Sequence, residues 1–399
     1  MIVDVRWKNP HSNTIAYVLF RKHFTEINDV YWANYTAQIT IEKEAKVAIE
    51  KTGNVLDYFY ISEEDERRIP KTYEEWRSQY RQFAAYTRLN TLMMLSSCFE
   101  TYLRTVVGLA LESKPAITLG CDSEIDGAFL LKTKTGYGDC KSNNYLFKNI
   151  VEEITKGNWD KRISAFKKYF KEFPPEIDTG LLEEIRKRRN EVGHFLGRDR
   201  EMYEMPLIVE PIPLTGVSHS KLKEYLNVID KAAKAIDKYL QINYIGSYDI
   251  IKYYYNQEAN GELLNVHPGA QAKTLKKILG RVGLCKGSST YYQDLLYYFS
   301  LDDKDKTCKY SKKSCVEKIN KEITAKGLKL YTIEGKKIPC SQAIFHVYCK
   351  KNNIYNNIEF CEKHSHGCET YFFSMKIIEK IVHEIEENQR GFLINLYEE

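Results

Sequence analysis

What the 399-residue sequence lacks narrows its function first. It holds no run near the roughly 18 apolar residues needed to cross a bilayer, and its start, MIVDVRWKNPHSN, has no basic-then-apolar leader. A protein of the cytoplasm, outside any membrane, is the expectation. No G-x4-G-K-[ST] or G-x-G-x-x-G stretch occurs, which argues against a nucleotide-driven motor, and there is no G-x-S-x-G elbow. Charge of one sign is in small excess: 59 Lys plus Arg against 54 Asp plus Glu leave +5, which does not by itself indicate a polyanionic partner. Internal repeats and low-complexity tracts are missing as well. Ten cysteines are present, but without a leader they are expected as reduced thiols.

With 43% hydrophobic residues the chain has material for two or three cores. Period-two alternation in YTAQITIE, and two short runs around Gly53 and Asn54 in KVAIEKTGNVLDYFYI, predict a small β-rich module over 1–71. Residues 72–113 change period: Leu89, Leu92, Met93, Phe99, Leu103, Val106, Val107 and Ala110 fall on one helical stripe that Lys114 and Pro115 end. A second helical pattern covers 145–173 with a break near Gly157. A third opens at Asp178 or Thr179, and a fourth covers 221–245. The expected fold is therefore mainly α: a helical bundle over 72–245, flanked by the β-rich module and by a mostly helical, lysine- and tyrosine-rich region over 246–399. Segment 301–339 holds 11 Lys against 6 Asp plus Glu, so its excess of +5 equals that of the whole chain.

The third helix carries RKRRNEVGHFLGRDR, residues 186–200. Ile185, Arg189, Val192 and Leu196 share one helical face, so a guanidinium lies in line with the apolar stripe. Such an arginine needs an anionic partner or an anion arriving in a cleft. Asn190 and His194, four apart, share the adjacent face, and Gly193 leaves the backbone room to bring the imidazole toward Arg189. Arg186, Lys187, Arg188, Arg198 and Arg200 surround them with positive charge. The plainer reading makes RKRR a solvated face and His194 a basic residue favoured by the helix C-terminus.

Arg189, Asn190 and His194, spaced R-N-x3-H with Arg186 three residues before, resemble the signature of the HEPN superfamily, with Glu100 of SSCFETYLR at a polar position that faces the site in that family. The resemblance covers roughly 75–245 and departs from the family in a long insertion, about 114–144. It implies a homodimeric, metal-independent endoribonuclease without cofactor. Arg189, Asn190 and His194 would be catalytic, and Arg186, Lys187, Arg188 and Glu100 would hold RNA, tRNA among the candidates. Chemically, His194 can move the proton of a 2′-hydroxyl and Arg189 can balance charge at phosphorus. A two-fold axis would double the single histidine. The resemblance further implies a toxin or antiviral-defence role, held in check or triggered by a regulatory protein or phage component.

Other features stay open. Cys361, His364, His366 and Cys368 of CEKHSHGC are potential zinc ligands, with Cys340 and Cys349 or Cys308 and Cys315 as a second pair, against a loop of reduced thiols. Thirty tyrosines serve core packing before base stacking. The alternative function is a catalytically silent helical scaffold with a nucleic-acid- or protein-binding C-terminal region.

Overall fold

A computed structural model describes residues 2–52, 54–59, 64–119, 126–132, 145, 147–195, 197–199, 202, 212–261, 268–300, 332–333 and 336–337. These residues are mostly helical. In chain order the helices are α1 (Ile2–Trp7), α2 (Ile15–Thr52), α3 (Val55–Phe59), α4 (Tyr73–Ser113), α5 (Lys148–Thr155), α6 (Trp159–Phe170), α7 (Thr179–Phe195), α8 (His219–Leu240), α9 (Tyr248–Ala259), α10 (Pro268–Arg281) and α11 (Ser289–Ser300). Thr332–Ile333 pairs antiparallel with Lys336–Lys337. None of the described helices is long and apolar enough to cross a membrane.

The described residues group into two compact units that do not follow chain order. One takes 19–103 and 175–235; the other takes residues up to 18, then 104–174, and those from 236 onward. The break expected at 71 falls inside the first of these, and the expected bundle over 72–245 is divided between both.

Within the unit of 19–103 and 175–235, helices α2, α4, α7 and α8 pack together. Phe20 meets Tyr102 with ring centroids 5.0 Å apart, and the Tyr102 hydroxyl donates to the Ala233 carbonyl at 3.0 Å. The Tyr225 hydroxyl donates to Glu184 at 2.7 Å, which joins α8 to α7. Leu89, Leu92, Leu95 and Phe99 of α4 and Leu222, Tyr225, Leu226 and Ile229 of α8 are buried. At the far end of α2 a small core of Ala45, Ile49 and Val55 is covered by Tyr58, Phe59, Ile69, Tyr73 and Trp76.

The β-rich module expected over 1–71 is corrected: residues 15–52 form one helix. Period two put Ile39 and Ile41 on a strand face, yet both are exposed, while Tyr31, Ala45 and Ile49, in phase with a 3.6-residue repeat, are buried. Ala, Glu and Lys in IEKEAKVAIEK favour the helix locally. Consequently α2 occupies the place in the bundle that the sequence assigned to 145–173.

In the other unit α5 packs on α6, and α11 packs on α1 and α10. Gly157, at φ +89°, separates α5 from α6, and the Asn158 side chain caps α6 by accepting from the Lys161 amide at 3.0 Å. α8 runs on through a π turn, Gln241–Ile245, and stops at Gly246 with φ +56°. A Cβ there would sit 2.6 Å from the Arg6 carbonyl oxygen. Arg6 is fully buried. It donates to Asp126 at 3.1 Å, to Ser113 Oγ at 2.6 Å and to the Ile245 carbonyl at 2.6 Å, and this ties α1 to the end of α8.

Candidate functional site

Helix α7 begins where its sequence directs, with Asp178 Oδ1 accepting from the Leu181 amide at 2.9 Å. Leu182 and Ile185 are buried. One turn on, Arg189 follows the same stripe and meets its anion: Nη2 lies 3.7 Å from Glu100 Oε2 on α4. Its Nη1 donates to Asn190 Oδ1 at 3.2 Å, and its Nε is buried without a hydrogen-bond partner. Arg189, Asn190 and Glu100 are thus brought together.

The remaining charges are largely matched along the helix. Arg186 makes a two-pronged contact with Glu183, at 2.9 and 2.6 Å, and Arg188 Nη1 lies 2.9 Å from Glu191. Burial is moderate here, and Glu183 with Glu100 strengthens the hold of Arg186 on its proton. Lys187 is exposed. Carboxylates set three residues from arginines turn the expected positive field into a mosaic of ion pairs. Gly193 gives the helix room rather than a bend: a Cβ there would touch Met93 of α4 at an ordinary 3.7 Å.

His194 stands in the last turn of α7, exposed, with its ring centroid 6.2 Å from that of Phe195. No described hydrogen bond links the imidazole to Arg189 or Asn190. Beyond it, Gly197 at φ +73° lets the chain turn over Leu89, and Arg198 donates to the Ile212 carbonyl and to the Tyr86 hydroxyl. Leu196 and Arg200 lie outside the described residues, as do the four cysteine and histidine residues of 361–368, the two proposed partner pairs, and most of 301–339.

The same unit holds an aromatic cluster that motif reading missed. Tyr31, Trp32 and Tyr35 of α2 gather around His219, the first residue of α8. The Tyr31 hydroxyl and His219 Nδ1 are 2.6 Å apart. Burial, then Lys223 and Arg88, lower the pKa of this histidine. The i, i+1, i+4 spacing of the three rings was visible in the sequence, but His219 lies almost two hundred residues away.

A family model described as EC042_2821-like Restriction Endonuclease-like domain matches residues 303–397. No curated protein and no solved structure matches the chain. The match corrects the HEPN resemblance: it points to a restriction-endonuclease-like fold, in a part of the chain where the sequence suggested a nucleic-acid- or protein-binding region or a zinc site. The match suggests nuclease-type function, without specifying RNA as the substrate.

Proposed function

We propose that this protein is a nuclease that hydrolyses phosphodiesters with residues of its 303–397 segment, while the helical residues before 300 hold and present the nucleic acid. The family match over 303–397 carries this reading. The lysine excess of 301–339 supports it, since positive charge both draws a polyanion and offsets the charge that builds on phosphate oxygens during cleavage. A carboxylate is also required, to take a proton from water or to hold a cation that makes bound water more acidic. Glu334 and Lys336, two residues apart, bring both charges into one short stretch that adjoins the paired residues Thr332–Ile333 and Lys336–Lys337.

This reading makes water the nucleophile. Strand scission then needs no 2′-hydroxyl, in contrast to the RNA-only chemistry that R-N-x3-H suggested. The test incubates the full chain with single- and double-stranded DNA and RNA, with and without magnesium. Cleavage that is lost in Glu334→Gln and Lys336→Met and kept in His194→Ala is the expected result. Cleavage of RNA alone that disappears in His194→Ala and survives both C-terminal substitutions would overturn it, as would no cleavage of any of the four substrates.

A further inference from the structure

An unpaired base is bound by an exposed aromatic face, with cations placed for the phosphates on either side. The Tyr31, Trp32, Tyr35 and His219 cluster has both parts. The Tyr35 and His219 rings are parallel, 3.9 Å apart with 4° between their planes. Trp32 stands across them, 5.2 Å and 84° from His219 and 5.6 Å and 87° from Tyr35. Tyr31, hydrogen-bonded to the imidazole, is buried beneath, yet the largest ring of the four, the Trp32 indole, is 37% exposed. Packing alone would put the ring with most apolar area inside. Here Tyr31 takes the interior, while half-buried Tyr35 and His219 flank the indole.

The charges that act on His219 are positive, while exposed Asp29 of α2 stands three residues before Trp32. Arg88 of α4 donates from Nε to the Val217 carbonyl at 2.5 Å, which anchors it two residues from His219, and Lys223 follows His219 by one turn of α8. These two cations are the charged groups that disfavour protonation of the imidazole, after burial itself. Two cations, Arg88 and Lys223, close in sequence or by hydrogen bond to His219 and its exposed indole neighbour, suit an anionic strand with bases to offer.

We propose that Trp32, braced by Tyr35 and His219, is a stacking platform for an unpaired base of single-stranded nucleic acid, with Arg88 and Lys223 supplying charge to the neighbouring phosphates. The proposal deepens the nuclease reading, on which it rests for the class of occupant. It makes the helical unit the part that selects unpaired strands.

Binding of labelled ten-nucleotide dT and rU strands, and of a blunt ten-base-pair duplex, is measured by fluorescence anisotropy on the full chain carrying Lys336→Met, so that turnover does not intrude. Trp32→Ala is expected to weaken single-strand binding about tenfold, the scale of one lost base–aromatic stack, with Trp32→Phe retaining most of it and duplex affinity unmoved. Lys223→Ala is expected to reduce the slope of log K against log salt by about 0.7. Unequal losses for dT and rU identify which strand the platform takes. Equal affinity of Trp32→Ala and its parent for both single strands overturns the proposal, as does an equal loss in Trp32→Ala and Trp32→Phe, or no single-strand binding at all. Failure of the cleavage reading is separate: a chain that binds through Trp32 but cuts nothing keeps the platform and loses the nuclease, and one that cuts with Trp32→Ala binding unchanged does the reverse.

Discussion

Glu100 of α4 and Arg189 of α7 form an ion pair 3.7 Å long, with about a third of each side chain exposed. A pair so placed is screened by water and contributes little net stability. The buried, unpartnered Nε of Arg189 works against even that, because a desolvated N–H without an acceptor costs about 1–3 kcal/mol. Arg189→Met, which keeps the aliphatic stem and removes the orphaned donor, is therefore expected to change unfolding stability by less than about 1 kcal/mol, in either direction. Ile185→Ala, one turn earlier and buried, is expected to cost about 2–4 kcal/mol. Urea titrations of both variants check the contrast. A loss of several kcal/mol in Arg189→Met would show that the guanidinium is a structural member of the bundle.

Arg6 stands at the other extreme. Its guanidinium has no exposure and satisfies Asp126, Ser113 and the Ile245 carbonyl together. Arg6→Ala removes the cationic partner of Asp126, which keeps only the Tyr298 hydroxyl and the Ala128 amide, and leaves the Ile245 carbonyl to Ser113 alone, at about 3 kcal/mol. Arg6→Lys is expected to recover only part of this, since one ammonium cannot reach three acceptors set in the plane of a fork. Gly246→Ala is expected to destabilise as well, because its left-handed backbone and the Arg6 oxygen 2.6 Å away both exclude a methyl. Thermal denaturation of the three variants, followed by circular dichroism, gives the order directly; equal melting of Arg6→Lys and the parent protein would deny the fork its role.

Helices whose apolar stripe ran for several turns were legible from the sequence. α4 ends at Ser113, immediately before the Lys114 and Pro115 that were expected to stop it, and Leu222, Tyr225, Leu226, Ile229, Ala232, Ala233, Ile236 and Leu240 form one buried stripe on α8. Asp178 caps α7 as its side-chain chemistry suggested. Helix α2 was misread because Ala37, Ile39 and Ile41 alternate with polar residues over a stretch too short to distinguish two periods, while the phase that decides the matter, from Tyr31 through Ala45 to Ile49, spans five turns. Arg189 was expected to meet an anion, and a carboxylate lies 3.7 Å from it. Glu100 was placed near the site only through the family resemblance, and its pairing with Arg189 is a tertiary fact that spacing along one helix does not show. A short motif then outweighed a 95-residue domain because local spacing is easy to see, and a fold dispersed over 303–397 is not.

Asp249 is buried, and burial pushes its carboxyl up to about 6 against the bonds it accepts from the Ile15 and Ile250 amides. The sign follows from proton counting. Between the unfolded value near 4 and about 6 the folded state binds more protons than the unfolded one, so the contribution of Asp249 to stability falls as pH rises through that window and is level above it. Asp249→Asn, neutral throughout, is expected to remove this slope. Unfolding free energies at pH 4, 5, 6 and 7 test it through the difference between variant and parent, which should move in favour of the variant as pH rises to 6; a difference flat with pH would place the Asp249 carboxyl at its ordinary value.

His219 titrates in the opposite sense, and the two effects can be separated because each has its own variant. Burial first, then Lys223 and Arg88, hold its folded pKa below the usual 6.5. The unfolded chain therefore takes up the proton first as pH drops below about 6.5, and stability falls with falling pH, whereas Asp249 gains over part of the same range. The neutral imidazole can accept at Nδ1 from the Tyr31 hydroxyl, itself held protonated by burial; the imidazolium cannot, so protonation also reverses or breaks that 2.6 Å bond. His219→Gln, which keeps a hydrogen-bonding side chain without the charge, is expected to flatten the acid side of the profile below about pH 6.5, and Lys223→Ala to shorten that limb, because relieving part of the repulsion brings the folded pKa closer to the unfolded one. Urea midpoints across this range, compared with those of Asp249→Asn, distinguish the two slopes by sign. If His219→Gln leaves the acid limb unchanged, that loss comes instead from buried His11, whose pKa burial also lowers.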